Sequence, residues 1–401
     1  MKIGLIKERK TPPDKRVVLP PGTCVEAQNM FPELTIVAES SDIRTFTDTE
    51  YETAGIPVVN DVSDCDVLLG VKEVPVDALI PGKKYFFFSH TIKKQPYNRK
   101  LLRAILDKNI ELYDHELITA QNNMRLIGFG YYAGIVGAYN GIRTLGKKYR
   151  IFDLPPAHTL PDKVALINEL HQVTMPPVKI VLTGTGRVGT GAKEILDAMY
   201  IKQVSVDTFL TQTFDEAVYV QLDVLDYNRR KDGVQKDMFD FFDHPEEYDS
   251  DFKRFTRVAD MFIAGHFHND AAPDFYTREE AADPEFNIKV VADISCDIGR
   301  PIASTIRAST IADPVYGYNP QTGEEDDFLK DGVIAVMAVD NLPAELPRDA
   351  STGFGEMFLE HVIPAFFDGD AHHILERARM TQNGKLTPRY AFLQNYVDGK
   401  E

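Results

Sequence analysis

Cysteine is scarce in this sequence. Cys24, Cys65 and Cys296 are the three in 401 residues, odd in number and widely spaced, so they form neither a disulfide framework nor a zinc-binding pattern. Long apolar runs are lacking too. The longest, Val333–Val339, falls far short of the roughly 20 residues that cross a bilayer. The N-terminus, MKIGLIKE, carries charges where a secretory leader needs an apolar stretch, and a cytoplasmic protein is expected. Basic residues are in deficit, 44 Lys and Arg against 61 Asp and Glu, for a net charge of −17. Such a surface repels phosphate backbones, so nucleic acid is excluded as the main partner, and no membrane partner is expected.

What is present is the balance of a folded protein: 43% apolar and 26% charged residues, in a chain long enough for two domains. The first 115 residues alternate short apolar strands with helical stretches, which predicts α/β winding around a parallel sheet. Strands are expected at Lys2–Ile6, Leu34–Ala38, Val67–Val71, Tyr85–Ser89 and Ile110–Tyr113, and a helix at Asn98–Leu106. Tyr131–Tyr149, rich in small residues, predicts a long helix connecting two domains. A proline-containing stretch, Leu154–Pro177, then leads into a second α/β unit. Asp226–Phe255 mixes acids, bases and aromatics with little periodicity and reads as an inserted surface segment. Tyr316–Gly332 has the turn chemistry of a loop or hairpin, and a helical pattern returns over Arg348–Phe367.

The most specific motif begins at Val178. An apolar strand to Thr183 runs into Gly184-Thr-Gly186-Arg187-Val188-Gly189, and a helix pattern follows. This is the strand, glycine turn and helix of a dinucleotide site. Gly184 permits the tight turn, Gly186 lets backbone approach a pyrophosphate, and Gly189 lets helix pack on strand. The start of the helix offers N–H groups and the positive dipole end to phosphate. Ribose-binding acids lie about 20 residues further on. Asp207, 23 residues past Gly184 at the end of an expected strand Gln203–Val206, fits best and favours NAD over NADP. Asp223, after an expected strand Val218–Leu222, is a second candidate at longer spacing.

Ligands of wound sheets bind at the carboxyl ends of strands. Those ends in the first domain carry Lys72-Glu73, His90, and Asp114-His115-Glu116, with Arg125 beyond and Arg16 after the first strand. Amine oxidation needs such a set. A base must take the nitrogen's proton before hydride leaves, and an acid/base group must activate water on the imine. Lysine can serve as base when burial and cationic neighbours lower its pKa, histidine titrates near neutrality, and arginines grip carboxylates. His266-Phe-His268 and His372-His373 lack the third-ligand pattern of a catalytic zinc site, and no metal is expected.

Several stretches resemble the alanine dehydrogenase and pyridine-nucleotide transhydrogenase superfamily, and within it the branch of lysine-forming saccharopine dehydrogenase and lysine–ketoglutarate reductase. They are GLIKERKTPPDKRVVLPP from Gly4, GVKEVP from Gly70, FFSHTIKKQ from Phe87, RLIGFGYYAG from Arg125, DISCDIG from Asp293 and AVDNLPAELPRDAS from Ala338. The resemblance implies two Rossmann-like, doubly wound α/β domains joined by long helices, with a cleft between them. Residues 1–140 plus 341–401 would form a discontinuous substrate domain and 141–340 the dinucleotide domain. It implies reversible NAD-linked oxidation of saccharopine to lysine and 2-oxoglutarate. Lys72 would be the base and His90 the group activating water. Arg16 and Arg125 would bind carboxylates, Glu73 and Glu116 would tune their neighbours or the substrate amine, and Asp297 and Asp340 would lie near the nicotinamide. The alternatives are an NADPH-preferring lysine–ketoglutarate reductase and a related dehydrogenase with another amine and oxo acid. No interface is readable, so oligomeric state is left open.

Overall fold

The computed structural model describes residues 1–400. The chain divides into two compact units, Met1–Phe129 together with the chain from Pro347 on, and Gly130–Leu346.

In the first unit the apolar runs become strands β1 (Lys2–Leu5), β2 (Thr35–Glu39), β3 (Val58–Val59), β4 (Val67–Lys72), β5 (Lys84–Phe88) and β6 (Glu111–Asp114). They form one sheet in the order β3-β2-β1-β4-β5-β6, parallel throughout. The five expected strands lie within one or two residues of their observed ends; β3 was not anticipated, because a Val-Val pair has no period to read. Strand residues such as Leu68, Leu69, Phe86 and Phe87 are buried on alternate faces, so both faces need covering. Helix α1 (Pro21–Met30) opens with proline in its first turn, α2 (Asp48–Thr53) is held by a Thr47/Glu50 capping box, and α3 (Arg99–Asp107) buries Leu101, Leu102 and Ile105.

The C-terminal segment completes this unit. Helix Pro347–His361 sets Phe358 edge-on to Phe86 at 6.0 Å between ring centroids, and the Val17 N–H donates to Ser351 Oγ at 2.9 Å. The strand order turns back on itself at β1, whose neighbours are β2 and β4. Their carboxyl ends therefore open a crest there, the usual ligand position in such sheets.

The second unit begins with α4 (Gly130–Tyr149), which lies wholly inside it. The expected boundary at 140/141 would cut this helix, and the second boundary falls after Leu346 rather than at 340/341. Packing gives the reason: Leu342 and Leu346 share one apolar cluster with Ile135, Tyr139 and Ile142 of α4. The stretch read as a proline-containing lead-in contains α5 (Lys163–Leu170), N-capped by Asp162.

Its sheet is built from β7 (Lys179–Thr183), β8 (Lys202–Gln203), β9 (Val218–Leu222), β12 (Met261–Ala264), β13 (Val290–Asp293), β14 (Val315–Asn319), β15 (Glu324–Asp326) and β16 (Ile334–Met337). A separate pair, β10 (Asn228–Arg230) with β11 (Tyr248–Ser250), lies between β9 and β12 in sequence. The order is β15-β14-β16-β13-β12-β7-β9-β8. The hairpin β14–β15 occupies Tyr316–Gly332 as the turn chemistry implied, adding an antiparallel edge. The Asp226–Phe255 segment carries the β10–β11 pair, and it is more than surface. Phe241, Tyr248, Phe252 and Phe255 drive into the cluster beneath the sheet, which explains a composition without a period.

Helix α6 (Arg187–Ala198) packs against α4 through glycine. A Cβ at Gly134 would overlap the Val188 carbonyl oxygen, and one at Gly191 would overlap that of Tyr131. Backbone meets backbone there.

Candidate active site

Strand β4 does not run out evenly. Its pairing with β5 shifts between Leu69 and Lys72, and Lys72 ends opposite Phe88. At that shift the N–H groups of Val71 and Lys72 both turn to one side chain. Both oxygens of Glu8 take them, at 2.6 and 2.9 Å. Gly70 makes room, since a Cβ there would lie 2.9 Å from Ile6 Cδ1 and 3.4 Å from Glu8 Oε1. Glu8 is buried, and burial pushes its carboxyl up to about 7 despite those bonds.

Lys72 is half-buried. Burial first, then the positive charge of Arg16, lowers its pKa, with Lys10 adding to the effect and Asp14 and Glu73 opposing it. A lysine so placed loses its proton more readily than one in water. Glu73 pairs with Lys10 at 2.7 Å, while its Oε2 is buried and meets no hydrogen-bond partner among the described residues.

His90 follows β5 in left-handed backbone, φ 53° and ψ 14°, an uncommon state for a residue other than glycine. The loop is fixed by buried Asp114, whose Oδ2 accepts the Ser89 N–H at 3.0 Å and the Ser89 hydroxyl at 2.5 Å. Its Oδ1 accepts the Glu116 N–H at 2.8 Å. One carboxylate thereby positions the segments that carry His90 and Glu116. His90 Nδ1 lies 3.4 Å from Glu116 Oε2, and Arg125 Nη2 donates to Glu116 Oε1 at 2.5 Å, with Lys93 at 3.7 Å. Burial opposes ionisation of Glu116, yet His90, Arg125 and Lys93 hold it down to about 2. A permanently charged carboxylate beside an imidazole suits proton exchange with water.

Aromatic rings join the two clusters. Phe88, paired with Lys72, stacks at 6.1 Å from the His90 ring and lies tilted 6.0 Å from Phe129, and the Arg16 guanidinium lies 4.3 Å over Phe129. Lys72, Glu73, Arg16, His90, Glu116 and Arg125 thus share one crest of the first unit. Arg16 differs from expectation in its commitments. It is 3% exposed, and Nε and Nη2 already donate to Asp14 at 3.0 and 2.6 Å, so part of the fork expected to hold substrate holds Asp14 instead. Arg125, with a side chain 56% exposed, presents more surface to a ligand. Glu8 and Asp14 carry no recognisable motif of their own in the sequence, and Asp114 stands there as one acid in a row. Their signal was a charged side chain within a strand-end motif that the fold then buried.

The second unit carries the glycine turn. Gly184 has φ +94°, and a Cβ there would overlap the Gly265 carbonyl oxygen; at Gly189 it would overlap that of Gly184. At Gly186 a Cβ would meet nothing within 4 Å. Gly186 is also the N-cap of α6, with no side chain capping the first turn, which begins at Arg187 and Val188. Open space before an uncapped helix start fits a pyrophosphate.

No strand Gln203–Val206 forms; β8 is two residues long and lies at the sheet edge, and Asp207 is an exposed residue in the first turn of α7 (Val206–Thr211). Ser205 caps that helix, and the capping signal outweighed the apolar alternation. Between β7 and the edge strand β8 lies β9, and Asp223 follows it directly. Gln221 Nε2 donates to the Gly184 carbonyl at 2.9 Å, tying this strand end to the turn. Asp223 therefore holds the position assigned from spacing to Asp207.

Asp297 and Asp340 are exposed, in the loops after the neighbouring parallel strands β13 and β16. Both act on Cys296, whose thiol burial and the charges of Asp293, Asp340 and Asp297 push up to about 12. His266 Nδ1 lies 2.8 Å from Thr183 Oγ1. Among the described residues the one cluster with metal-like spacing is exposed His244, Glu246 and Glu247, and Glu247 is already paired with Arg230.

Residues 4–136 match the family model described as alanine dehydrogenase/PNT, N-terminal domain. The chain is 28% identical to α-aminoadipic semialdehyde synthase of Arabidopsis thaliana over 98% of its length, and 29% identical to the Rattus norvegicus protein of that name over 91%. It spans 41% and 45% of those two relatives, less than half of either. A Schizosaccharomyces pombe protein named saccharopine dehydrogenase [NAD(+), L-lysine-forming] is 25% identical, with 93% of this chain and 95% of that one covered. Among solved structures, an L-alanine dehydrogenase superposes with a TM-score of 0.67 at 17% identity, covering both chains completely. A transhydrogenase from Sinorhizobium meliloti gives 0.57 at 16%, covering 96% of this chain and 98% of that one.

A dinucleotide turn in one unit and a lysine–histidine–carboxylate crest in the other are the parts that an NAD(P)-dependent oxidoreductase requires. The N-terminal third of the chain is similar to the alanine dehydrogenase/PNT family, and the named relatives lie in the saccharopine dehydrogenase and α-aminoadipic semialdehyde synthase branch.

Proposed function

We propose that the protein oxidises saccharopine reversibly with NAD and water, giving lysine, 2-oxoglutarate, NADH and a proton. The observation that carries this reading is Lys72, a half-buried lysine whose charge is disfavoured by burial and by Arg16 at a strand-end crest. Neutral Lys72 takes the proton from the secondary ammonium, leaving a nitrogen lone pair that can form the imine as hydride departs. Gly186 and the start of α6 would hold the pyrophosphate of a dinucleotide, whose nicotinamide would supply the hydride acceptor. His90, beside ionised Glu116, draws the proton from water as it adds to the imine carbon, then returns a proton to the departing lysine nitrogen. Arg125 holds a substrate carboxylate, and Glu73 Oε2 accepts from the substrate amine. Asp223 accepts the adenosine ribose hydroxyls and repels a 2′-phosphate, which favours NAD.

A second reading, NADPH-linked reduction of the imine formed from lysine and 2-oxoglutarate, is favoured by the higher identity to the α-aminoadipic semialdehyde synthases than to the fungal proteins. Oxidation of NADH and of NADPH by the purified protein, with lysine plus 2-oxoglutarate and with pyruvate plus ammonia, separates the possibilities. Turnover with lysine, 2-oxoglutarate and NADH supports the proposal. Preference for NADPH supports the second reading, and activity with pyruvate and ammonia alone overturns the substrate.

A further inference from the structure

Glu8 stands outside every role assigned above, yet it makes the closest contact with the strand end that presents Lys72. It lies three residues past the end of β1. The neighbouring Lys7 N–H is held from the β2 side by Glu39 Oε2 at 2.9 Å, while the Glu8 side chain crosses to the β4 side and takes the Val71 and Lys72 N–H groups. Those two N–H groups lie where the β4–β5 register shifts. The carboxylate offers one oxygen to each of the two adjacent N–H groups, and loss of either oxygen leaves a buried backbone donor without that partner.

We propose that Glu8 is a positioning residue for Lys72, its carboxylate clamping the irregular end of β4 and so fixing where the lysine amine meets substrate. The inference rests on the reading of Lys72 as the base. The charged groups acting on Glu8 are Asp14, which disfavours its charge, and Arg16, which favours it. All three belong to the segment following β1, so the clamp responds to the same electrostatics as the lysine. Because Glu8 titrates near neutrality in this setting, the clamp is at full strength only where its carboxylate is charged, a dependence that reaches Lys72 through the backbone and not through contact with substrate.

The test compares wild type, Glu8→Gln and Lys72→Met with lysine, 2-oxoglutarate and NADH across pH 5.5 to 9.5, with NADH affinity followed by fluorescence. In wild type labelled with 15N-valine and 15N-lysine, the Val71 and Lys72 amide signals are expected to titrate together with a midpoint near neutrality, and Glu8→Gln to abolish that titration. Glu8→Gln is expected to lower kcat by roughly ten- to a hundredfold, the scale for a misplaced catalytic group, with NADH affinity unchanged and a flattened pH profile. A kcat within twofold of wild type and a superimposable profile would overturn the proposal, as would wild-type amides that do not titrate; the latter measurement decides the matter even if Glu8→Gln fails to fold. Turnover retained in Lys72→Met would instead overturn the reading of Lys72 as base. Loss of turnover in Lys72→Met with Glu8→Gln unaffected would remove Glu8 alone.

Discussion

Asp14 grips Arg16 from two residues away: Oδ1 accepts Nε at 3.0 Å, Oδ2 accepts Nη2 at 2.6 Å, and both side chains are 3% exposed. The pair sets a fixed positive charge beside Lys72 and a fixed guanidinium plane over Phe129. Removing one partner of such a pair strands the other without compensation. Asp14→Asn is therefore expected to destabilise the first unit by about 3 kcal/mol, read as a lower midpoint in urea unfolding. The loss of charge balance should also show as a shifted pH–rate profile.

Acid stability follows from the same carboxylate. Against the cost of burial, Arg16 holds Asp14 down to about 2 from an ordinary 3.8. A depressed folded-state pKa contributes stability that is present above pH 4 and lost as the pH falls through 2, here about 2 kcal/mol. Melting temperatures recorded from pH 5 to pH 2 should fall less steeply in Asp14→Asn than in wild type.

Glu8 has the opposite sign. Its folded-state pKa is raised from 4.5 to about 7 by burial, so its contribution is fully present below pH 4.5 and lost as the pH rises through 7. The difference amounts to about 3 kcal/mol. Wild type should melt lower at pH 8.5 than at pH 5.5 by more than Glu8→Gln does, and parallel curves would contradict the assignment.

The glycines of the turn separate into two kinds. A methyl at Gly189 meets backbone, whereas one at Gly186 meets open space. Gly189→Ala is expected to unfold or strongly destabilise the second unit. Gly186→Ala should fold with an unchanged melting temperature while NADH affinity drops tenfold or more, because the added methyl occupies the pyrophosphate's approach.

Cofactor choice tests the topological assignment of the ribose acid. Asp223→Ser is expected to move the NADH-to-NADPH preference toward NADPH by roughly ten- to a hundredfold, on the scale of one lost charge repulsion. Asp207→Ser, in an exposed helix turn at the sheet edge, should change neither affinity. Fluorescence titration with each nucleotide gives both numbers.

Much of this architecture is legible in the sequence. Five strands of the first unit announce themselves because they are buried on both faces and read as unbroken apolar runs. The glycine turn was legible for a related reason: three positions admit no side chain or must leave space. What was hidden depended on partners far apart in sequence. Asp223 could not be preferred over Asp207 by counting, because the distance from a glycine turn to its ribose acid is set by which strand lies beside the first, and α7 displaces that strand by some fifteen residues. Glu8 was invisible because its function is to accept backbone N–H groups 63 and 64 residues away. Arg16 was visible as a cation, but its engagement by Asp14 is a matter of burial. The long insert misled by composition, since its aromatics pack into the core individually rather than along one face.

The backbone-to-backbone seam between α4 and α6 bears on how the protein tolerates change. Gly134 and Gly191 carry no chemistry and are not part of the glycine turn, yet any side chain at either must push two carbonyl-lined helices apart, and α6 starts at the nucleotide turn. A saturation mutagenesis survey scored on growth would rank these two positions with the reacting residues. Intolerance to substitution in this protein is therefore a map of close contact as much as of catalysis, and the two are told apart by whether the inactive variant still melts cooperatively.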